Sequence, residues 1–101
     1  MKKHSNKLED IKRTIEAHKE LLREKYKVRE IGVFGSYVRG EQNKTSDIDI
    51  VVEFTEAVSL LDLVEAELYL SEILGTKVDL IPKEDIRPEL KDRILEETVY
   101  I

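Results

Sequence analysis

The sequence predicts an α/β (α+β) domain, a small mixed β-sheet flanked by helices with elements in the order αββαβα. Apolar residues recur at helical spacing near the start, two β-rich segments follow with a turn between them, and a helix, a strand and a helix fill the remainder. At 101 residues there is room for one core, so a single domain over 1–101 is expected, with little left for a separate acceptor-binding module.

The leading helix is predicted from Ser5 to about Lys25, where Leu8, Ile11, Ile15 and Leu22 recur among charged residues and Ser5 or Asn6 can cap the start. His18 lies near that apolar seam and His4 at the frayed start. With no second His or Cys to match either, packing or solvent contact is expected rather than metal binding. "VREIGVF" then turns to β-compatible residues and "DIDIVVEF" opens with strict alternation, so the two read as neighbouring strands.

Ser59 begins "SLLD", a capping box in which Asp62 replaces the usual Glu, and the apolar-rich helix that follows stops at Gly75. It is expected to be well buried. "KVDLI" is a short strand ended by Pro82, and Pro88 opens a last helix through about Glu97, leaving "VYI" as an apolar tail. No internal repeat, low-complexity run or Gly/Ser/Pro-rich linker divides the chain.

With 41% apolar and 39% charged residues, the composition favours a packed core under a densely charged surface over disorder. The net charge of −5 disfavours general binding to a nucleic-acid backbone, while a local basic patch could still receive the phosphates of a nucleotide. Without cysteine there is no disulfide and no Cys-based zinc site, and without a leading apolar segment neither secretion nor membrane insertion is expected, which leaves a cytoplasmic protein. Abundant Lys and Glu, with only Asn6, Gln42 and Asn43 as amides, resemble thermophile compositions.

The chemistry is concentrated in "GVFGSYVRGEQNKTSDIDIVVEF". On an extended strand Asp47 and Asp49 point one way while Ile48 and Ile50 point the other, into the core. Two ionised carboxylates roughly 6 to 7 Å apart, from a rise of about 3.3 Å per residue, repel unless a positive charge lies between them. A divalent cation meets that need, and Mg²⁺ prefers hard oxygen ligands combined with substrate phosphates. Asp79, between Val78 and Leu80 in "KVDLI", would join them if its strand pairs beside the Asp47 strand. Three such acids could hold two metals about 3.5 to 4 Å apart, with Asp79 at the position of a base. An isolated Asp-x-Asp is more ordinarily a solvated strand end, and a lone Asp79 an exposed edge charge. The combination with the preceding turn shifts that balance.

At that turn Gly35 leaves the strand without a β-carbon, and Ser36 could cap a short helix through Tyr37, Val38 and Arg39, presenting N–H groups and a hydroxyl to a phosphate. Arg39 and Lys44 could add positive charge or lie on the surface. "GSYVRG" fits neither the Walker nor the dinucleotide-binding spacing, so a P-loop or Rossmann enzyme is not supported.

Gly35-Ser36, ten intervening residues, Asp47-Ile48-Asp49 and a later strand aspartate together resemble the nucleotidyltransferase superfamily of DNA polymerase β type. Within it the likeness is to minimal nucleotidyltransferases, the MntA-like antitoxins paired with HEPN-domain toxins, and it extends over most of the chain. Val38, where that family often has Ala, and the "EQNKT" loop are departures that leave the motif acids and the Gly-Ser pair in place.

The resemblance implies a polymerase β-type fold and metal-dependent transfer of a nucleoside monophosphate. Asp47, Asp49 and Asp79 would be catalytic metal ligands for Mg²⁺, two ions in number, and Gly35, Ser36 and Arg39 would bind the nucleotide. For MntA-like members it further implies AMP transfer from ATP to a tyrosine of the HEPN toxin, with the chain acting as antitoxin.

Two other functions stay open from sequence: a non-catalytic antitoxin that masks its toxin, and nucleotidyl transfer to a small molecule, which the chain's brevity disfavours. Tyr37, Tyr69 and Tyr100 could be self-modified, although packing or an interface is the more ordinary role. Assembly with itself or with the toxin is open, and "VYI" could seal an apolar edge or meet a partner.

Overall fold

The computed structural model describes residues 7–101, so the proposed Ser5 or Asn6 cap and His4 lie outside the described residues. The elements run α1 (Leu8–Ala17), α2 (Lys19–Tyr26), β1 (Val28–Phe34), α3 (Ser36–Arg39), β2 (Ile48–Phe54), α4 (Leu60–Leu74), β3 (Val78–Pro82), a 3₁₀ turn (Lys83–Asp85), α5 (Pro88–Glu97) and β4 (Val99–Tyr100).

The four strands form one mixed sheet in the order β3-β2-β1-β4, with β1 antiparallel to β2 and β4 and β2 parallel to β3. The parallel pair follows from α4, a right-length crossover between β2 and β3. Along β1 and β2 the side chains of Ile31, Val33, Ile48, Ile50 and Val52 enter a core shared with Ile11, Ile15, Leu22, Ala66, Leu70 and Leu74 of the helices. On the opposite face Phe34, Val51 and Ile86 form a smaller cluster with Ile81, Ile94 and Leu95. The sheet is therefore covered on both sides, fully by α1, α2 and α4 and only in part by α5. Asp49 and Asp79 lie two residues before Val51 and Ile81 on their strands and so share the partly covered face with them.

Four sequence expectations are corrected. The leading helix is two helices, because His18 leaves helical geometry (φ −111°, ψ 12°) and its amide bonds the Ile15 carbonyl at 3.0 Å, while its Nδ1 lies 2.8 Å from the Thr14 oxygen that a continuous helix would offer that amide. The ring packs edge-on to Tyr69, which agrees with a packing role.

The "VYI" tail is a strand: β4 pairs Gly32 with Tyr100 and Val33 with Val99, and the Ile101 amide donates to the Ile31 carbonyl at 3.0 Å. A β-carbon at Gly32 would meet Thr98 Cγ2 at 2.5 Å, so the close approach of the C-terminal segment requires glycine there. With α3 and the division of the first helix, the order is richer than αββαβα.

Ser36 is the first residue of α3, and Gly35 occupies the cap position.

The helix α4 is not well buried all round. Ser59 and Asp62 do form the reciprocal capping box, and Gly75 ends the helix in the left-handed region at φ 68°. Ala66, Leu70 and Leu74 face the core, but Leu60 (75%), Leu61 (65%) and Leu68 (63%) are largely exposed, with Val64 on the same side. The helix has two apolar faces and the domain supplies a partner for one. Its side chains also close the outer edge of β3, where Ser71 Oγ accepts from the Val78 amide and Glu67 Oε2 from the Leu80 amide, each at 2.9 Å.

Candidate active site

The site is built where β1 ends and where β2 and β3 begin. Parallel pairing sets Asp49 opposite Asp79, and antiparallel pairing sets Phe34 opposite Asp49. Gly35 follows Phe34 directly, so the turn and the second aspartate, fourteen residues apart in sequence, become neighbours. Gly35 has φ 84° and ψ −151°, a conformation open in practice to glycine alone, and an added β-carbon would overlap the Asp49 carboxylate. The turn is glycine for both reasons.

Asp49 is half-buried, and its carboxyl titrates above its ordinary range. Burial is the main cause, the like charges of Asp79 and Asp47 add to it, Arg39 opposes it and Glu97 adds a little more. A carboxylate held among carboxylates is a place that a cation would relieve, and the donors are hard oxygens suited to Mg²⁺. The three acids are not gathered in advance. Among the described residues no three His, Cys, Asp or Glu side chains lie close enough to hold a metal ion. Asp47 precedes β2 and turns its Oδ2 to Lys77 Nζ at 3.5 Å, while Asp49 and Asp79 keep their strand positions. The expected convergence of three carboxylates is thus met for two in register and unmet for Asp47, because an exposed acid beside a lysine gains more from that pairing than from joining two like charges.

Arg39 reaches the site but is engaged. Its Nε donates to Glu41 Oε1 at 2.9 Å, and its Nη1 lies 3.1 Å from both carboxylate oxygens of Glu97, contacts that hold the guanidinium more firmly protonated than usual. Glu97 Oε2 also accepts from the Gly35 amide at 2.7 Å. Phe34, Gly35, Arg39, Asp49, Arg93, Ile94 and Glu97 line a cleft of about 200 Å³. Arg93 and Glu97 were not among the residues expected from sequence, and with Glu97 lying 62 residues from Gly35 no local pattern announces either.

Lys44 is exposed in the loop before β2, outside that lining. The same "EQNKT" loop is ordered by Asn43, whose Oδ1 accepts from the Thr45 amide at 2.9 Å and whose own amide donates to Ser46 Oγ at 2.9 Å. Tyr37 is buried, Tyr69 stacks on Tyr26 with ring centroids 5.0 Å apart, and Tyr100 is exposed on the edge strand. Packing accounts for the first two.

A Gly turn leading into a short helix, set against acidic side chains from two parallel strands of a small mixed sheet, defines a nucleotidyltransferase. The nucleotidyltransferase domain family matches residues 15–101, and the chain belongs to that family and is an enzyme of its kind. Among its relatives is the protein adenylyltransferase MntA of Thermococcus cleftensis, 50% identical over 94 residues that cover 93% of this chain and 95% of the relative. A Methanocaldococcus jannaschii protein, provisionally assigned as a protein adenylyltransferase, is 53% identical over 95 residues, 93% of this chain and 97% of its own. A solved structure provisionally assigned as a minimal nucleotidyltransferase superposes with a TM-score of 0.79 at 33% identity, covering 92% of this chain and 94% of that one. A toxin–antitoxin structure with AMP-PNP superposes with a TM-score of 0.69 at 26% identity, over 84% of this chain and 70% of that one.

Proposed function

We propose that this nucleotidyltransferase is a protein adenylyltransferase that moves AMP from ATP to a tyrosine of a HEPN-family toxin, as the antitoxin of the pair. The observation that carries the reading is the contact of Gly35 with Asp49 beside the in-register Asp79, which brings a phosphate-facing turn against the acids. Relatives at 50% identity and above bear the name of that activity, and the AMP-PNP complex of a toxin–antitoxin pair supports a nucleotide substrate and a protein partner. The exposed stripe of Leu60, Leu61, Val64 and Leu68 supports a protein partner as well. The α4 segment itself carries Asp62, Glu65, Glu67 and Glu72 and no Lys or Arg, which favours a basic partner over a second copy packed face to face.

In the reaction the acceptor oxygen forms a bond to the α-phosphorus, the bond from that phosphorus to the pyrophosphate oxygen breaks in line, and the hydroxyl proton passes to a base. Mg²⁺ held by Asp47, Asp49 and Asp79 would lower the acceptor's pKa and neutralise the charge on departing pyrophosphate. Asp79, exposed at the start of β3, is assigned the base position. Gly35 and Ser36 receive the triphosphate at the start of α3, and Arg39 adds charge when it exchanges the exposed Glu41 for a phosphate.

The test is incubation with labelled ATP, Mg²⁺ and the HEPN protein, comparing wild type with Asp47→Asn/Asp49→Asn. Label on the toxin with wild type alone is expected, and equal labelling by both proteins would remove these acids from the chemistry.

A further inference from the structure

We infer that Glu97 is a positioning residue of the nucleotide site, fastening the Gly35 turn and Arg39 to the C-terminal segment so that the turn is held against Asp49. The inference rests on the nucleotidyl-transfer reading and concerns a residue outside the Gly-Ser and Asp-x-Asp motifs.

Two donor groups meet at one carboxylate. Glu97 Oε2 accepts from the Gly35 amide at 2.7 Å, and Arg39 Nη1 lies 3.1 Å from each carboxylate oxygen. Hydrogen bonds to an ionised acceptor are about twice as strong as neutral ones, and the Glu97 side chain is only 25% exposed, which limits competition from water.

The backbone that carries Glu97 is itself fixed. Thr98 Oγ1 donates to the Ile94 carbonyl at 2.7 Å, and the following residues pair with β1 through Val99 and Tyr100. β1 leads into Gly35, so the chain runs from the strand to the turn, across the carboxylate to α5, and back through β4 to the same strand. The closed circuit selects, from the many conformations open to a glycine, the positive-φ one that sets Gly35 against Asp49.

A carboxylate on a backbone amide and a guanidinium also resembles a phosphate oxygen, so Glu97 could instead obstruct the site. The two roles give opposite results on removal.

The test uses the full chain with Mg²⁺-ATP and the toxin, comparing Glu97→Gln, whose amide oxygen can still accept from Gly35, with Glu97→Ala, whose methyl cannot. Glu97→Ala is expected to raise KM for ATP by about tenfold or more with a smaller change in kcat, and Glu97→Gln to recover most of the loss. Exchange of the Gly35 amide proton, followed by NMR without nucleotide, is expected to quicken in the Ala variant and to stay near wild type in the Gln variant.

An Ala variant with wild-type KM and unchanged Gly35 exchange would overturn the inference, as would one that binds ATP more tightly. If wild type itself labels no toxin, the adenylyltransferase reading fails, and the Gly35 exchange rates still decide the role of Glu97.

Discussion

Gly35 and Asp49 adjoin across the β1–β2 pair so closely that a β-carbon on Gly35 would overlap the Asp49 carboxylate and lie 3.1 Å from its carboxyl carbon. The contact joins the two motifs of the site and makes the glycine answerable to the aspartate.

Gly35→Ala is therefore expected to destabilise the fold by about 1 to 3 kcal/mol, from the positive φ and the overlap together, and to reduce nucleotidyl transfer by more than about tenfold. Urea denaturation and labelled ATP measure the two effects. An Ala variant with wild-type stability and transfer would mean that the turn relaxes without moving Asp49.

The raised carboxyl of Asp49 sets a pH dependence. The folded protein binds this proton more tightly than the unfolded chain, whose value is near the ordinary 3.8, so the penalty grows as pH rises from there through the raised value and is complete above it. At pH 7 without Mg²⁺, Asp49→Asn should melt higher than wild type, and the gap should close as pH falls below the ordinary value. Added Mg²⁺ should raise the melting temperature of wild type more than that of the variant. Calorimetric scans at several pH values check all three, and a variant that melts lower than wild type at pH 7 would contradict the penalty assigned to burial and like-charge repulsion at Asp49.

Gly32→Val would drive a side chain into Thr98 and Tyr100. It should release β4 from β1 and, through the Glu97 contact, loosen the Gly35 turn, at a stability cost of about 1 to 3 kcal/mol. Hydrogen exchange at Ile101, whose amide bonds Ile31, reports the release directly.

Leu61→Asp and Leu68→Asp replace exposed leucines and should change stability by no more than about 0.5 kcal/mol. If the α4 stripe meets a protein partner, both variants should lose capture of the HEPN protein in size-exclusion chromatography while still binding Mg²⁺-ATP. Undiminished capture by both would assign the stripe no part in that contact.

Some of this protein was written in short-range pattern. The Ser59–Asp62 capping box, the stop at Gly75, Pro88 at the first turn of α5 and the alternation of buried Ile48 and Ile50 with Asp49 all depend on residues within a few positions of one another, and all stand in the structure. The motif of Gly35-Ser36 and Asp47-Ile48-Asp49 was likewise local enough to indicate a nucleotidyltransferase, which the family match bears out. The break at His18 was not legible, because Leu22 continues the apolar spacing across it and the cause is a single local exchange of hydrogen bonds. Nor was the exposure of Leu60, Leu61 and Leu68, since a helix rich in leucine reads as buried until the number of covering elements is known.

The sequence by itself determined which residue types were available for the chemistry and which face of each strand they would take, because those follow from backbone periodicity. Only the tertiary structure decided which of them meet. Asp79 stands beside Asp49 because α4 returns the chain for a parallel pairing, Asp47 turns aside to Lys77, and Glu97 closes on Gly35 because β4 folds back on the strand that leads into the turn. Such contacts depend on register and on charge between distant segments, and neither is a property of any one stretch of chain.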